Sequence, residues 1–136
     1  MQRNMPRLRI LVADDNELMR NALCTVLEEQ AGWEICGEAA DGREAIHKSV
    51  ELKPDVLLLD VSMPDMNGFE VAKRIHKLSC APDILIVTEH DASAFERVEP
   101  QKGVRGYVVK SRISSDLVPA IEAVASHRHA SASAGF

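Results

Sequence analysis

The chain has 136 residues, 46% of them apolar, and 16 Lys and Arg against 21 Asp and Glu leave a formal charge of −5. That length suits one domain with a buried core, the acidic balance gives no electrostatic footprint for nucleic acid, and no apolar run nears the roughly 18 residues that cross a bilayer. The opening "MQRNMPRLR" lacks a signal peptide's apolar region, and three cysteines without C-x-x-C spacing (Cys24, Cys36, Cys80) argue against a disulfide framework or zinc site, so a cytoplasmic protein with buried free thiols is expected.

In chain order, "RILVA" (residues 9–13) is a short apolar run, and in "NELMRNALCTVLEEQ" Leu18, Ala22 and Val26 recur at helical spacing beside Leu23 and Leu27. "WEICGEA" (residues 33–39) alternates as a strand does. After a D-G turn, "DGREAIHKSVELK" sets Ala45, Ile46, Val50 and Leu52 near one helical face. "DVLLLD" predicts a third strand, "GFEVAKRIHKL" a third helix with Phe69, Ala72 and Ile75 in phase, and "DILIVT" (residues 83–88) a fourth strand. "DASAFERVEPQKG" holds only a short fourth helix, because Pro100 stops it. "RGYVVK" is a fifth strand and "SSDLVPAIEAVASH" a fifth helix. With Ser115 as N-cap, Pro119 falls at the fourth helical position, whose N–H has no intrahelical partner. The tail, residues 127–136, has no apolar period and is expected to be disordered. His127 and His129 within it lack a third ligand for a metal and read as solvated residues.

Five strands alternating with five helices predict a doubly wound parallel sheet. In such sheets ligands bind outside the carboxyl ends of the strands. Those ends carry Asp14 and Asp15 (strand one), Asp60 (strand three), Thr88 (strand four) and Lys110 (strand five). Each alone has a structural reading: Asp15 or Asn16 as the N-cap of helix one, Asp60 opening an Asx-turn, Thr88 as a cap. Together they place three carboxylates, a hydroxyl and an ammonium at one crevice. Clustered carboxylates repel, and a hard divalent cation such as Mg²⁺ relieves that repulsion. An aspartate can also accept a phosphoryl group, with metal and lysine neutralising the transferred charge. No G-x-x-x-x-G-K-[ST] or G-x-G-x-x-G is present to cradle a nucleotide.

At these residues the chain resembles the receiver domains of two-component response regulators. "VADDNELMR" is similar to the family's acidic-pair segment, "LLLDVSMPDMNGFE" to its phosphorylation segment, "IVT" to its hydroxyl position and "GYVVK" to its lysine segment. The resemblance spans a core of about residues 8–124 and implies a flavodoxin-like five-stranded (βα)5 sheet of strand order 2-1-3-4-5 and a receiver domain over 1–126, a signalling domain rather than an enzyme. It implies that Asp60 is the phosphoacceptor and that Asp14, Asp15, Asp60 and the Ser62 main-chain carbonyl hold Mg²⁺. Thr88 and Lys110 would contact the phosphoryl group, with Thr88 and Tyr107 as switch residues. A sensor histidine kinase is then the phosphoryl donor, and the face of helix four, strand five and helix five is the output surface and a plausible homodimer contact. "GEAADGREA" and the lysine–serine pair further resemble the subfamily whose members carry a C-terminal helix-turn-helix domain; no such output domain lies within the 136 residues.

Two positions depart from the family pattern. Glu89 stands where a small residue usually follows the threonine, and a carboxylate there repels a phosphoryl group unless it pairs with His90 or Arg112. Slower phosphorylation is expected, with Glu89 as an atypical modulator. Ser111 replaces a proline often preceded by a cis bond, which without proline costs about 2.5–4 kcal/mol. Two rivals stay open: a pseudo-receiver acting only through protein contacts, and a haloacid-dehalogenase-like phosphohydrolase, for which Val61 and Ser62 after Asp60 fail to supply D-x-D.

Overall fold

The computed structural model describes residues 8–61, 63, 67–89 and 103–134, with side chains from 129 onward left out of account. Five strands, β1 (Leu8–Ala13), β2 (Trp33–Ala39), β3 (Val56–Asp60), β4 (Asp83–Thr88) and β5 (Val104–Val109), form one parallel sheet in the order β2-β1-β3-β4-β5. The described helices are α1 (Glu17–Glu28), α2 (Gly42–Leu52), α3 (Gly68–His76) and α4 (Ile113–Ala134), the last corresponding to the predicted fifth helix. The short helix expected within residues 91–103 lies outside the described residues, apart from Gly103 in a turn.

The strand period of two divides the core. Ile10, Val12, Val56, Leu58, Leu85 and Val87 face one side, where Leu23 and Leu27 of α1 and Leu117, Ile121 and Val124 of α4 cover them. Leu11, Ala13, Leu57, Leu59, Ile84 and Ile86 face the other, under Ala45 of α2 and Val71, Ala72 and Ile75 of α3. Because both faces are covered, β3 is buried throughout, which explains its unbroken apolar run.

Local chemistry sets the helix starts. Asn16, one of the two cap candidates for α1, accepts a hydrogen bond from the Met19 amide, and Asp41 caps α2 through the Glu44 amide. Glu44 reaches back to the Ala40 amide at 2.6 Å, closing a reciprocal cap. A side chain at Gly68 would place its Cβ 2.6 Å from the Val61 Cα, so only glycine lets α3 begin this close to the chain leaving Asp60.

Several details differ from the sequence expectation. Lys110 belongs to a 3₁₀ turn, Lys110–Arg112, that runs directly into α4, so Ser115 is not the N-cap and Pro119 lies deeper in the helix. The helix tolerates it because Pro119 and Ser115 are both exposed, so water can reach the Ser115 carbonyl that proline leaves without a donor. No cis peptide occurs among the described residues, so the bond before Ser111 is trans.

The segment from 127, expected to be disordered, is helical to Ala134. Nothing in it breaks a helix before Gly135, and Arg128 anchors it by donating to the Asp55 carbonyl (2.9 Å) and Asp83 Oδ2 (3.0 Å). Of the three free cysteines only Cys24 is buried; Cys36 is half-buried and Cys80 exposed. No helix among the described residues is long and apolar enough to cross a membrane.

Candidate functional site

Strand order decides where the site forms. β1 connects to β2 on one side and β3 leads to β4 on the other, with α1 and α3 on opposite faces, so a crevice opens above the carboxyl ends of β1 and β3. Asp14 follows β1 and Asp60 ends β3; both are buried, while Asp15 is exposed at the mouth. The three carboxylates each offer an oxygen within 4.8 Å of the others.

Lys110 reaches into this cluster from the end of β5. Its Nζ lies 3.2 Å from Asp14 Oδ2, 3.3 Å from Asp60 Oδ2 and 3.8 Å from Glu89 Oε1. Burial works against its charge, but Asp60 and Asp14 outweigh burial and hold the ammonium above its ordinary pKa. Asp14 is pushed the opposite way to a typical paired carboxylate: burial raises its pKa, the Asn16 amide lowers it, and Asp60 raises it further.

The hydrogen bonds of Asp14 are divided among its atoms. Oδ1 accepts from the Asn16 amide at 2.8 Å, and the main-chain carbonyl accepts from Arg20 Nη1 at 2.7 Å. Oδ2 is buried and paired with the Lys110 ammonium at 3.2 Å, with no further partner among the described residues. Three carboxylates that converge within 4.8 Å, with one buried oxygen held only by Lys110, fit a hard divalent cation, which would take Asp14, Asp15 and Asp60 as oxygen ligands.

The sequence-derived residues come together with stated exceptions. Thr88 ends β4 beside the crevice and is buried, and Tyr107 lies on β5, half-exposed, beside a cleft lined by Ala120, Val124 and His127. Ser62, whose carbonyl was expected to hold the metal, and His90, a suggested partner of Glu89, lie outside the described residues. Arg112, the other suggested partner, pairs instead with Asp116 at 3.0 Å, one helical turn on, and Glu89 joins the carboxylates grouped on the Lys110 ammonium. Met63 is buried against the α2–α3 core, as a packing residue under the loop. Arg20 escaped the sequence reading, because its partner is a main-chain carbonyl and carbonyls carry no residue signature.

A flavodoxin-like parallel sheet with an acidic cluster and a lysine at its carboxyl end defines a class of signalling domain. The chain belongs to the response regulator receiver domain family, whose pattern it matches over residues 10–122. It is 39% identical over 118 residues to the transcriptional regulatory protein PdtaR of Mycobacterium tuberculosis, covering 87% of this chain and 56% of that protein. It is 35% identical over 116 residues to the chemotaxis protein CheY of Thermotoga maritima, covering 85% and 96%. Among solved structures it is similar to a LuxR-family two-component response regulator from Aurantimonas (TM-score 0.80, 36% identity, covering 87% of this chain and 84% of that one). The chain spans about half the length of the transcriptional regulators it matches.

Proposed function

We propose that this receiver domain accepts a phosphoryl group on Asp60 in the presence of Mg²⁺ and passes the signal through its β5 and α4 face. The observation that carries the reading is the placement of Lys110, within 3.3 Å of both Asp14 and Asp60 and paired with a buried Asp14 oxygen that has no further partner among the described residues. Asp60 presents a carboxylate oxygen to phosphorus. An O–P bond forms as the bond from phosphorus to the donor nitrogen of a kinase phosphohistidine breaks, and that electron pair leaves with the imidazole. A cation held by Asp14, Asp15, Asp60 and the Ser62 carbonyl supplies charge neutralisation at the phosphoryl oxygens when bound. Lys110 and Thr88 complete the contacts to the phosphoryl group.

The gained charge then draws Thr88 inward and Tyr107 into the space beside it, repacking the face that meets a partner, whether a second copy or an output domain in a longer regulator. Transcriptional control is the output that the relatives suggest, and a sensor histidine kinase is the donor. This domain makes no nucleic-acid contact itself. The Glu89–Lys110 contact gives the pseudo-receiver reading its only specific support, since it occupies a donor that the phosphoryl group needs.

Incubation with acetyl phosphate and Mg²⁺, followed by intact mass, tests the proposal. A gain of one phosphoryl group that requires Mg²⁺ and vanishes in Asp60→Asn is expected. No mass gain, or a gain retained in Asp60→Asn, would sink it.

A further inference from the structure

Arg20 sits on α1 with its side chain mostly buried (15% exposed), yet it has no place among the phosphoryl-contacting residues. Its two ends do different work. Nη1 donates to the Asp14 carbonyl at 2.7 Å, and Nε donates to Glu38 Oε1 on β2 at 3.2 Å. We infer that Arg20, held by Glu38, is a positioning residue for divalent-cation binding: it clamps the Asp14 main chain so that the Asp14 and Asp15 carboxylates converge on Asp60. This inference rests on the metal site proposed above.

The division of acceptors at Asp14 carries the argument. With its carbonyl taken by Arg20 and Oδ1 taken by the Asn16 amide, Oδ2, partnered by the Lys110 ammonium at 3.2 Å, is the Asp14 oxygen open to a cation. The Asp14 amide is also spoken for, since it donates to the Ala39 carbonyl at 3.0 Å, so the peptide units on either side of Asp14 are both fixed. Rotation of the peptide between Asp14 and Asp15 would swing Asp15 away from the cluster, and the Arg20 hydrogen bond opposes it.

A guanidinium near a metal site is ordinarily a competitor, because it pairs readily with carboxylates. Here the competition is prevented in two ways. Arg20 binds a carbonyl and leaves the carboxylate oxygens open, and Glu38 occupies its other edge, which keeps it from turning onto exposed Asp15. Glu38 is itself placed by Lys48, whose ammonium donates to the Glu38 carbonyl. A lysine at position 20 keeps the charge but lacks the planar fork whose separate nitrogens meet the two partners from fixed directions.

Calorimetric titration with Mg²⁺ alone tests the inference, with acetyl phosphate labelling as a second readout. Arg20→Lys and Arg20→Ala are expected to raise the Mg²⁺ dissociation constant roughly three- to tenfold, while the labelling rate at saturating Mg²⁺ stays near wild type. Glu38→Gln, at a half-exposed side chain, is expected to weaken Mg²⁺ in the same direction by releasing Arg20 toward Asp15, and it decides the matter if either Arg20 variant fails to fold. Unchanged Mg²⁺ affinity in the folded variants, or a lower saturated rate at unchanged affinity, overturns the inference while leaving the proposed function intact. No Mg²⁺ binding by the wild type overturns the metal site and this inference together.

Discussion

Glu89 Oε1 lies 3.8 Å from Lys110 Nζ, on the same ammonium that meets Asp14 and Asp60. In the phosphorylation proposed above, with a divalent cation on the two aspartates, Glu89 would be the carboxylate from which an incoming phosphoryl group takes Lys110. Glu89 is 62% exposed, so water screens the pair, and exposed pairs are worth about 0.2–1 kcal/mol. That bounds the effect on rate at about fivefold. Glu89→Gln is therefore expected to speed acetyl phosphate labelling by roughly two- to fivefold, followed by intact mass over time; an unchanged rate removes Glu89 as a modulator.

Gly68 tests how tightly the loop after Asp60 is tied to α3. A Cβ there meets Val61 backbone at 2.6 Å, a contact that no side-chain rotation relieves. Gly68→Ala is expected to cost about 1–3 kcal/mol in urea unfolding, in line with other overpacked positions. Because Val61 adjoins Asp60, slower Asp60 labelling in the folded variant is expected as well. A urea midpoint matching wild type would show that the loop yields.

Arg128 continues the Leu117, Ile121 and Val124 stripe of α4, but with a charge where another apolar residue would have packed. Asp83, buried at the start of β4, receives it at 3.0 Å and also receives Arg105 at 2.9 Å. The register of β5 shifts beside Arg105, which leaves that residue outside the pairing with β4. Arg128→Ala is expected to lower hydrogen-exchange protection over residues 125–134 by roughly tenfold while residues 113–121 keep theirs. Equal protection in both proteins would mean that the second half of α4 needs no anchor.

Burial pushes the Cys24 thiol up to about 11, and Glu38 and Glu28 push in the same direction. The folded protein therefore keeps this proton at pH values where the unfolded chain, with a thiol near 9.0, loses it. A raised acid pKa means stability falls as pH rises from about 9 toward 11. The urea midpoint of wild type should drop more steeply across that window than that of Cys24→Ala, since other groups titrate equally in both. At pH 8, exposed Cys80 should alkylate well before Cys24.

The sequence by itself determined the five strands and the helices described between them, and with them a doubly wound sheet whose ligand crevice lies at the carboxyl ends of its strands. Apolar runs and helical spacing are local properties of the chain, and a parallel sheet covered on both faces leaves few ways to arrange them. Asp14, Asp15, Asp60, Thr88 and Lys110 were legible for the same reason: each directly follows or ends a strand, so topology alone sends them to one place. Tertiary structure decided what those residues meet. The choice of Lys110 over Arg112 as the partner of Glu89, the hold of Arg20 on the Asp14 carbonyl, and the use of Arg128 to extend α4 all join groups distant in sequence or involve a main-chain atom. Even the start of α4 followed this pattern, since Ser115 has the chemistry of a cap, but the 3₁₀ turn Lys110–Arg112 leads into the helix before it. Side-chain pairing depends on the three-dimensional path of the backbone, which local propensity does not encode.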